Sequence, residues 1–145
     1  MDKPWVYLDT SVFLKLYIKE KSSERVRKIA KENHVLSSSM LMLESFSALA
    51  RRRQAGDIEE AAFDHILKRL KDGILAVETI RVTEDVLGLA GEITLRSMAR
   101  TMDAVHIASA RLFQDGTGIA ITFITADKKQ HEAALDEGLK SVYIG

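Results

Sequence analysis

The amino-acid sequence predicts an α/β protein built on a central, mainly parallel sheet. Two observations carry this. Short apolar runs alternate with amphipathic helical segments along the whole chain, a pattern that sets helices on both faces of a sheet. One of those runs, Ile119 to Thr125, is apolar at nearly every position, as a central strand covered on both sides should be.

The elements follow in order. Trp5 to Asp9 reads as the first strand, entered from Pro4, the single proline. A helix is expected from Ser11 to Ile18 and a second from Ser23 to Glu32, where Ser22-Ser23-Glu24-Arg25 has the character of a helix start. Val35 to Ser37 is a short strand. The next helix spans Ser39 to Gln54 and stops at Gly56, since glycine readily takes the left-handed conformation that ends helices. Asp57 is expected to cap a helix over Ile58 to Lys71, with Ala62, Ile66, Leu67 and Leu70 at helical spacing and Gly73 as its stop. Leu75 to Val82 reads as a strand. Thr83-Glu84-Asp85 opens a helix to Ser97, with Val86, Leu89, Ala90 and Ile93 on one face. Thr101 is expected to cap a helix over Met102 to Gln114, and Gly116 and Gly118 to turn the chain into the strand Ile119 to Thr125. A helix over Lys128 to Glu137, ended by Gly138, and a strand over Leu139 to Ile144 complete the chain.

Composition bounds what such a protein can do. A chain of 145 residues, 46% hydrophobic and 29% charged, fits one domain (1–145) around a sizeable core. The absence of cysteine excludes disulfides, zinc–thiolate sites and thiol nucleophiles. The N-terminus lacks a signal-peptide layout, and no apolar run approaches the about 18 residues of a membrane span. The expectation is a cytoplasmic protein with no membrane partner. Twenty-one basic residues balance 21 acidic ones, so bulk charge neither advertises nor forbids nucleic acid.

Four acids stand where an α/β chain gains little from a carboxylate. Asp9 ends the run Trp5-Val6-Tyr7-Leu8. Glu44 interrupts Met40-Leu41-Met42-Leu43-Glu44-Ser45-Phe46. Asp103 opens Asp103-Ala104-Val105-His106-Ile107-Ala108. Asp127 follows the run Ile119 to Ala126. Asp9 and Asp127 could simply cap the helices after them, and Asp103 lies in a first turn, where the helix dipole favours a carboxylate. Glu44 resists that explanation, because it shares a helix face with Leu41 and Ala48 and a buried, unpaired carboxylate is costly. Convergence would account for all four. Crowded carboxylates repel, and a hard divalent cation such as Mg²⁺ or Mn²⁺ removes the penalty and brings metal-dependent chemistry on phosphate within reach. Asp9 and Asp127 both fall at carboxyl ends of strands, where ligands gather in such sheets. Thr10, Ser11 and Thr125 could support the acids with hydroxyls, although Ser11 also suits a capping role.

Of the four histidines, His106 lies one turn beyond Asp103; a hydrogen-bonded core role is preferred for it over a phosphate contact or acid–base role. His34, His65 and His131 show no ligand spacing. Three basic sets could track a phosphate backbone or simply face solvent: Arg51-Arg52-Arg53; Lys19, Lys21, Arg25 and Lys28; and Arg96 with Arg100.

Taken together, Tyr7-Leu8-Asp9-Thr10-Ser11, Ser38 to Glu44, Met102 to Ala108 and Ile124-Thr125-Ala126-Asp127 carry a family resemblance. In this order, on these elements, they resemble the PIN-domain ribonucleases of the VapC toxin type, from Val6 to Ile144. The resemblance implies a three-layer α/β/α fold and Mg²⁺- or Mn²⁺-dependent cleavage of RNA. It assigns Asp9, Glu44, Asp103 and Asp127 to metal binding, with Thr10, Ser11 and Thr125 in support. It also implies a homodimer and inhibition by a small VapB-like antitoxin. Two other readings compete. A PIN-like module that only binds a partner protein would have no need of four acids. An aspartyl phosphotransfer domain is disfavoured because Asp9-Thr10-Ser11 lacks a second Asp two residues on.

Overall fold

Five parallel strands form one sheet in the order β3-β2-β1-β4-β5 in a computed structural model that describes residues 2–145. The strands are β1 (Trp5–Leu8), β2 (His34–Ser38), β3 (Glu78–Ile80), β4 (Ile121–Thr125) and β5 (Lys140–Tyr143). The helices are α1 (Thr10–Phe13), continued by a 3-10 turn (Leu14–Leu16), α2 (Ser23–Glu32), α3 (Leu41–Gln54), α4 (Glu60–Ile74), α5 (Glu84–Ser97), α6 (Thr101–Thr117) and α7 (Lys128–Asp136). The chain builds outward from β1 to β3, then crosses back to lay β4 on the other side of β1. The strand order therefore reverses between β1 and β4. A crevice opens at the carboxyl ends of strands at such a switch point.

The period of two along a strand divides the core. Tyr7 and Phe123 face one side, packed with Val86, Ala90, Ile93, Ala104, Ile107 and Ala134 from α5, α6 and α7. Val6, Leu8 and Ile124 face the other, packed with Phe13, Val26, Leu41, Leu49 and Leu70 from α1 to α4. This is a three-layer α/β/α arrangement, as expected.

Several local expectations are corrected. The Leu75–Val82 strand shrinks to Glu78–Ile80, and Leu75 is an exposed residue at the end of α4. Asp57 does not cap α4; the helix starts at Glu60, with Glu59 at the cap position, because Ile58 is drawn into the core. Thr101 lies inside α6 rather than capping it, and α6 runs past Gly116 to end at Gly118 with φ +71°. Gly73 does not stop α4 either. It gives room to Tyr17, whose hydroxyl occupies the space a β-carbon at Gly73 would need.

That close approach inverts an ordinary preference. Alanine in a helix interior is favoured over glycine by about 1 kcal/mol, but overpacking costs about 1–3 kcal/mol. The Tyr17 ring cannot swing aside freely, since it packs on Phe13 at a centroid distance of 5.2 Å. Gly73→Ala is expected to lower stability in urea unfolding. A clear gain would show that Tyr17 yields without cost.

Candidate active site

All four acids stand at the starts of helices. Asp9 is the N-cap of α1 and accepts from Val12 N at 3.0 Å; Asp127 is the N-cap of α7 and accepts from Gln130 N at 3.1 Å. Asp103 occupies the first turn of α6. Glu44, expected further along its helix, also falls in the first turn, because α3 begins at Leu41. Capping and convergence are thus compatible. The β1–β4 switch point brings helix N-termini to one crevice, and their dipoles favour negative charge there.

Asp9, Glu44, Asp103 and Asp127 line a single cleft of about 630 Å³, together with Thr10, Ser11, Arg51, Arg52, Arg100, His106 and Gln130. A smaller neighbouring hollow of about 390 Å³ shares Arg100, Asp103, Asp127 and Gln130 with it. The acids are separately tethered. Asp9 is buried; its Oδ1 takes the Ser11 hydroxyl at 2.7 Å as well as Val12 N, and its Oδ2 takes the Thr125 hydroxyl at 2.7 Å. Ser11 therefore holds Asp9 and does not act as a cap. Glu44 Oε1 takes the Thr10 hydroxyl at 2.8 Å and meets His106 Nε2 at 2.6 Å. His106 is 2% exposed, and its Nδ1 lies 2.7 Å from the Tyr7 hydroxyl. The preferred reading of His106 as a hydrogen-bonded core residue holds, with the addition that its partner is one of the four acids.

The acids sense one another. Burial first, then the charges of Asp127 and Asp9, push the Asp103 carboxyl up to about 6. Burial also raises Asp9, against the hydrogen bonds from Thr125, Ser11 and Val12. Glu44 moves the other way: burial raises it, but the hydrogen bonds from His106 and Thr10 carry it below the ordinary range.

Among the described residues, no three acidic or histidine side chains are spaced to hold a metal ion between them. The expected four-carboxylate convergence is therefore a shared cleft and not a closed cage. The donor set still fits Mg²⁺ or Mn²⁺. It is all hard oxygen, and such ions are held by one or two carboxylates with retained waters. Asp103 is raised first by burial and then by Asp127 and Asp9, and a cation would relieve the second of these effects.

The structure also sorts the basic residues. Arg51, Arg52 and Arg100 line the cleft, and Arg52 is also paired with Glu20 at 3.1 Å. Arg53 turns away to stack on Phe63 at 3.8 Å, and Arg96 is paired with Glu137. Lys19 and Arg25 do not line the cleft, and Lys28 pairs with Glu32 on α2. Two residues escaped the sequence reading: Gln130, which lines the cleft, and Tyr7, which is buried and reaches it through His106. Gln130 stands at the third position after its N-cap, a spacing visible in Asp127-Lys128-Lys129-Gln130. Tyr7 sits within an apolar strand, where nothing local marks it.

Comparison with known proteins agrees with this architecture. A model of the PIN domain matches residues 6–136. Ribonuclease VapC46 of Mycobacterium tuberculosis is 31% identical over 137 residues, covering 92% of this chain and 93% of that protein. Among solved structures, FitAcB from Neisseria gonorrhoeae superposes with a TM-score of 0.71 at 18% identity, covering 94% of this chain and 95% of the other. A toxin–antitoxin complex from Klebsiella pneumoniae gives 0.62 at 14% identity, covering 86% and 88%. The helix-start acids around the β1–β4 crevice thus lie on a fold and a sequence of one lineage, and the chain belongs to the PIN domain family, as a relative of the VapC ribonucleases.

Proposed function

We propose that this protein is an endoribonuclease that hydrolyses RNA phosphodiesters with Mg²⁺ or Mn²⁺ held by Asp9, Glu44, Asp103 and Asp127. The observation that carries it is the cleft itself. Four acids from separate segments line one crevice, three arginines rim it, and Asp103 is raised by burial and by its acidic neighbours. A divalent ion bound there would supply an acidified water and neutralise charge on the phosphate. The chain's own groups have distinct roles. Asp9 is held by Thr125 and Ser11 with both oxygens oriented. Glu44 is held by Thr10 and His106. Arg51, Arg52 and Arg100, which line the cleft, would meet the RNA backbone and neutralise phosphates near an otherwise repulsive acidic site.

The relatedness to VapC ribonucleases supports RNA as the substrate. It also supports a toxin role, in which a small VapB-like antitoxin inhibits the enzyme and the toxin acts as a homodimer. Purified protein should cleave single-stranded or structured RNA when supplied with Mg²⁺ or Mn²⁺ and lose that activity in EDTA. Cleavage that survives exhaustive chelation would sink the metal assignment. Growth arrest on expression, relieved by co-expression of a small neighbouring gene, tests the toxin assignment.

A further inference from the structure

We propose that Tyr7 and His106 are positioning residues for Glu44, a buried pair that fixes the carboxylate through Oε1 and leaves Oε2 turned to the cleft. The inference rests on the nuclease reading above, in which His106 holds Glu44, and extends that tether to Tyr7, which the reading leaves idle.

The direction of each hydrogen bond follows from the donors present. Tyr7 is fully buried, and a phenol keeps its proton at neutral pH. The neighbouring Ser37 and Ser109 hydroxyls donate to the carbonyl oxygens of Leu8 and Val105, both at 2.7 Å. Among the described residues, no acceptor other than His106 Nδ1 is hydrogen-bonded to the Tyr7 hydroxyl. The Tyr7 proton is directed at His106 Nδ1, 2.7 Å away. An imidazole that accepts at Nδ1 carries its proton at Nε2. That proton goes to Glu44 Oε1 at 2.6 Å, where the Thr10 hydroxyl also donates at 2.8 Å.

Both donors land on the same oxygen. Glu44 Oε2 takes no hydrogen bond from the described residues and is not a buried atom, so it is open to the cleft that Glu44 lines. The support is rigid. Tyr7 stacks on Phe123 at 5.3 Å and meets the His106 ring edge-on at 5.6 Å. A histidine buried only for packing would need some partner for each nitrogen. This one joins a phenol on the central strand β1 to a carboxylate at the start of α3, across the layers of the protein. It acts as a strut between the sheet and the cleft. Partners that orient a metal-binding carboxylate in this way typically matter by about 10–100-fold in metal affinity or activity.

The test uses the whole protein. Tyr7→Phe keeps the ring and removes the donor, freeing His106 to take the other tautomer. Mn²⁺ affinity, read by titration calorimetry without RNA, is expected to fall by about 10-fold or more. On a fluorescent RNA oligonucleotide, kcat should fall with little change in KM. His106→Gln places an amide donor near the Nε2 position and should retain more Mn²⁺ affinity than His106→Leu. Wild-type Mn²⁺ affinity and kcat in Tyr7→Phe and His106→Leu would overturn the proposal. Nitrogen-15 NMR of the wild-type imidazoles is a second measurement that survives any folding defect in the variants. A protonated Nε2 and bare Nδ1 on His106 are expected, and the reverse tautomer would overturn the pair. A wild-type protein that neither binds Mn²⁺ nor cleaves RNA would defeat the nuclease reading instead, and the tautomer measurement still reports on the strut.

Discussion

Asp9→Asn is expected to abolish RNA cleavage while leaving the fold intact and the metal-free protein at least as stable as the wild type. The two halves of this expectation have separate causes. Activity falls because asparagine cannot supply the negative charge that holds a divalent ion. Loss of an orienting partner alone costs about 10–100-fold, so loss of the ligand itself should exceed about 100-fold. The fold survives because asparagine caps a helix about as well as aspartate. Its carbonyl oxygen replaces Oδ1 and still accepts from Val12 N and the Ser11 hydroxyl. Its amide replaces Oδ2 and donates to the Thr125 hydroxyl, whose proton is then free for Gln130 Oε1, 2.9 Å away. Stability does not suffer, because the buried charge that raises the Asp9 carboxyl is gone. Circular dichroism, thermal melting in EDTA and RNA cleavage with resupplied metal check all three points. Full cleavage by the variant would remove Asp9 from the site. A collapsed fold would make its role structural.

Chelated protein should gain stability as the pH falls from about 7.5 toward 5, and saturating Mg²⁺ should remove that gain. The sign follows from Asp103. Its carboxyl titrates at about 6 in the folded state, above the ordinary value of 3.8. Between these values the folded state binds more protons than the unfolded one, so stability rises as pH falls through about 6 and the gain is complete below the unfolded value. The raised Asp9 acts in the same direction. Glu44 and Glu137 act oppositely: their folded values are lowered, so their contribution is lost only as pH falls below the ordinary carboxylate range. The maximum for chelated protein should therefore lie below the Asp103 value of about 6 and above the range in which Glu44 and Glu137 lose their contribution. With metal bound, the acids must stay ionised, so acidification releases the ion and lowers stability. At a hundredfold excess over Kd, ligation contributes about 2.7 kcal/mol. Urea unfolding across pH, with EDTA and with Mg²⁺, reads both curves. A flat or falling curve in EDTA between pH 7 and 5 would show that the acids do not crowd in solution.

Much of this was legible in the chain. The α2 and α5 boundaries follow from helix starts and apolar spacing, and Gly56 and Gly138 end α3 and α7 with positive φ as glycine allows. The errors fell where tertiary contact overrode a local signal. Gly73 reads as a stop, yet it falls within the last turn of α4, which closes at Ile74, and its missing side chain leaves room for Tyr17 from far along the chain. The strand expected from Leu75 shrinks because the edge strand β3 has a paired neighbour only opposite Leu36 to Ser38.

The site divides in the same way. The sequence by itself determined the four acids, the places of Asp9, Asp103 and Asp127 at strand ends or helix starts, and the family pattern, because caps and strand ends are set by residues a few positions apart. Tertiary structure alone decided that Glu44 is tied to His106, 62 residues away, and His106 to Tyr7, 99 residues away. It also decided that Arg51 and Arg52 face the cleft while Arg53 does not. Those contacts depend on the strand order β3-β2-β1-β4-β5, which lays the start of α3 and the body of α6 against opposite sides of one crevice. Periodicity records which face of an element is apolar; it carries no record of which distant element will lie against that face.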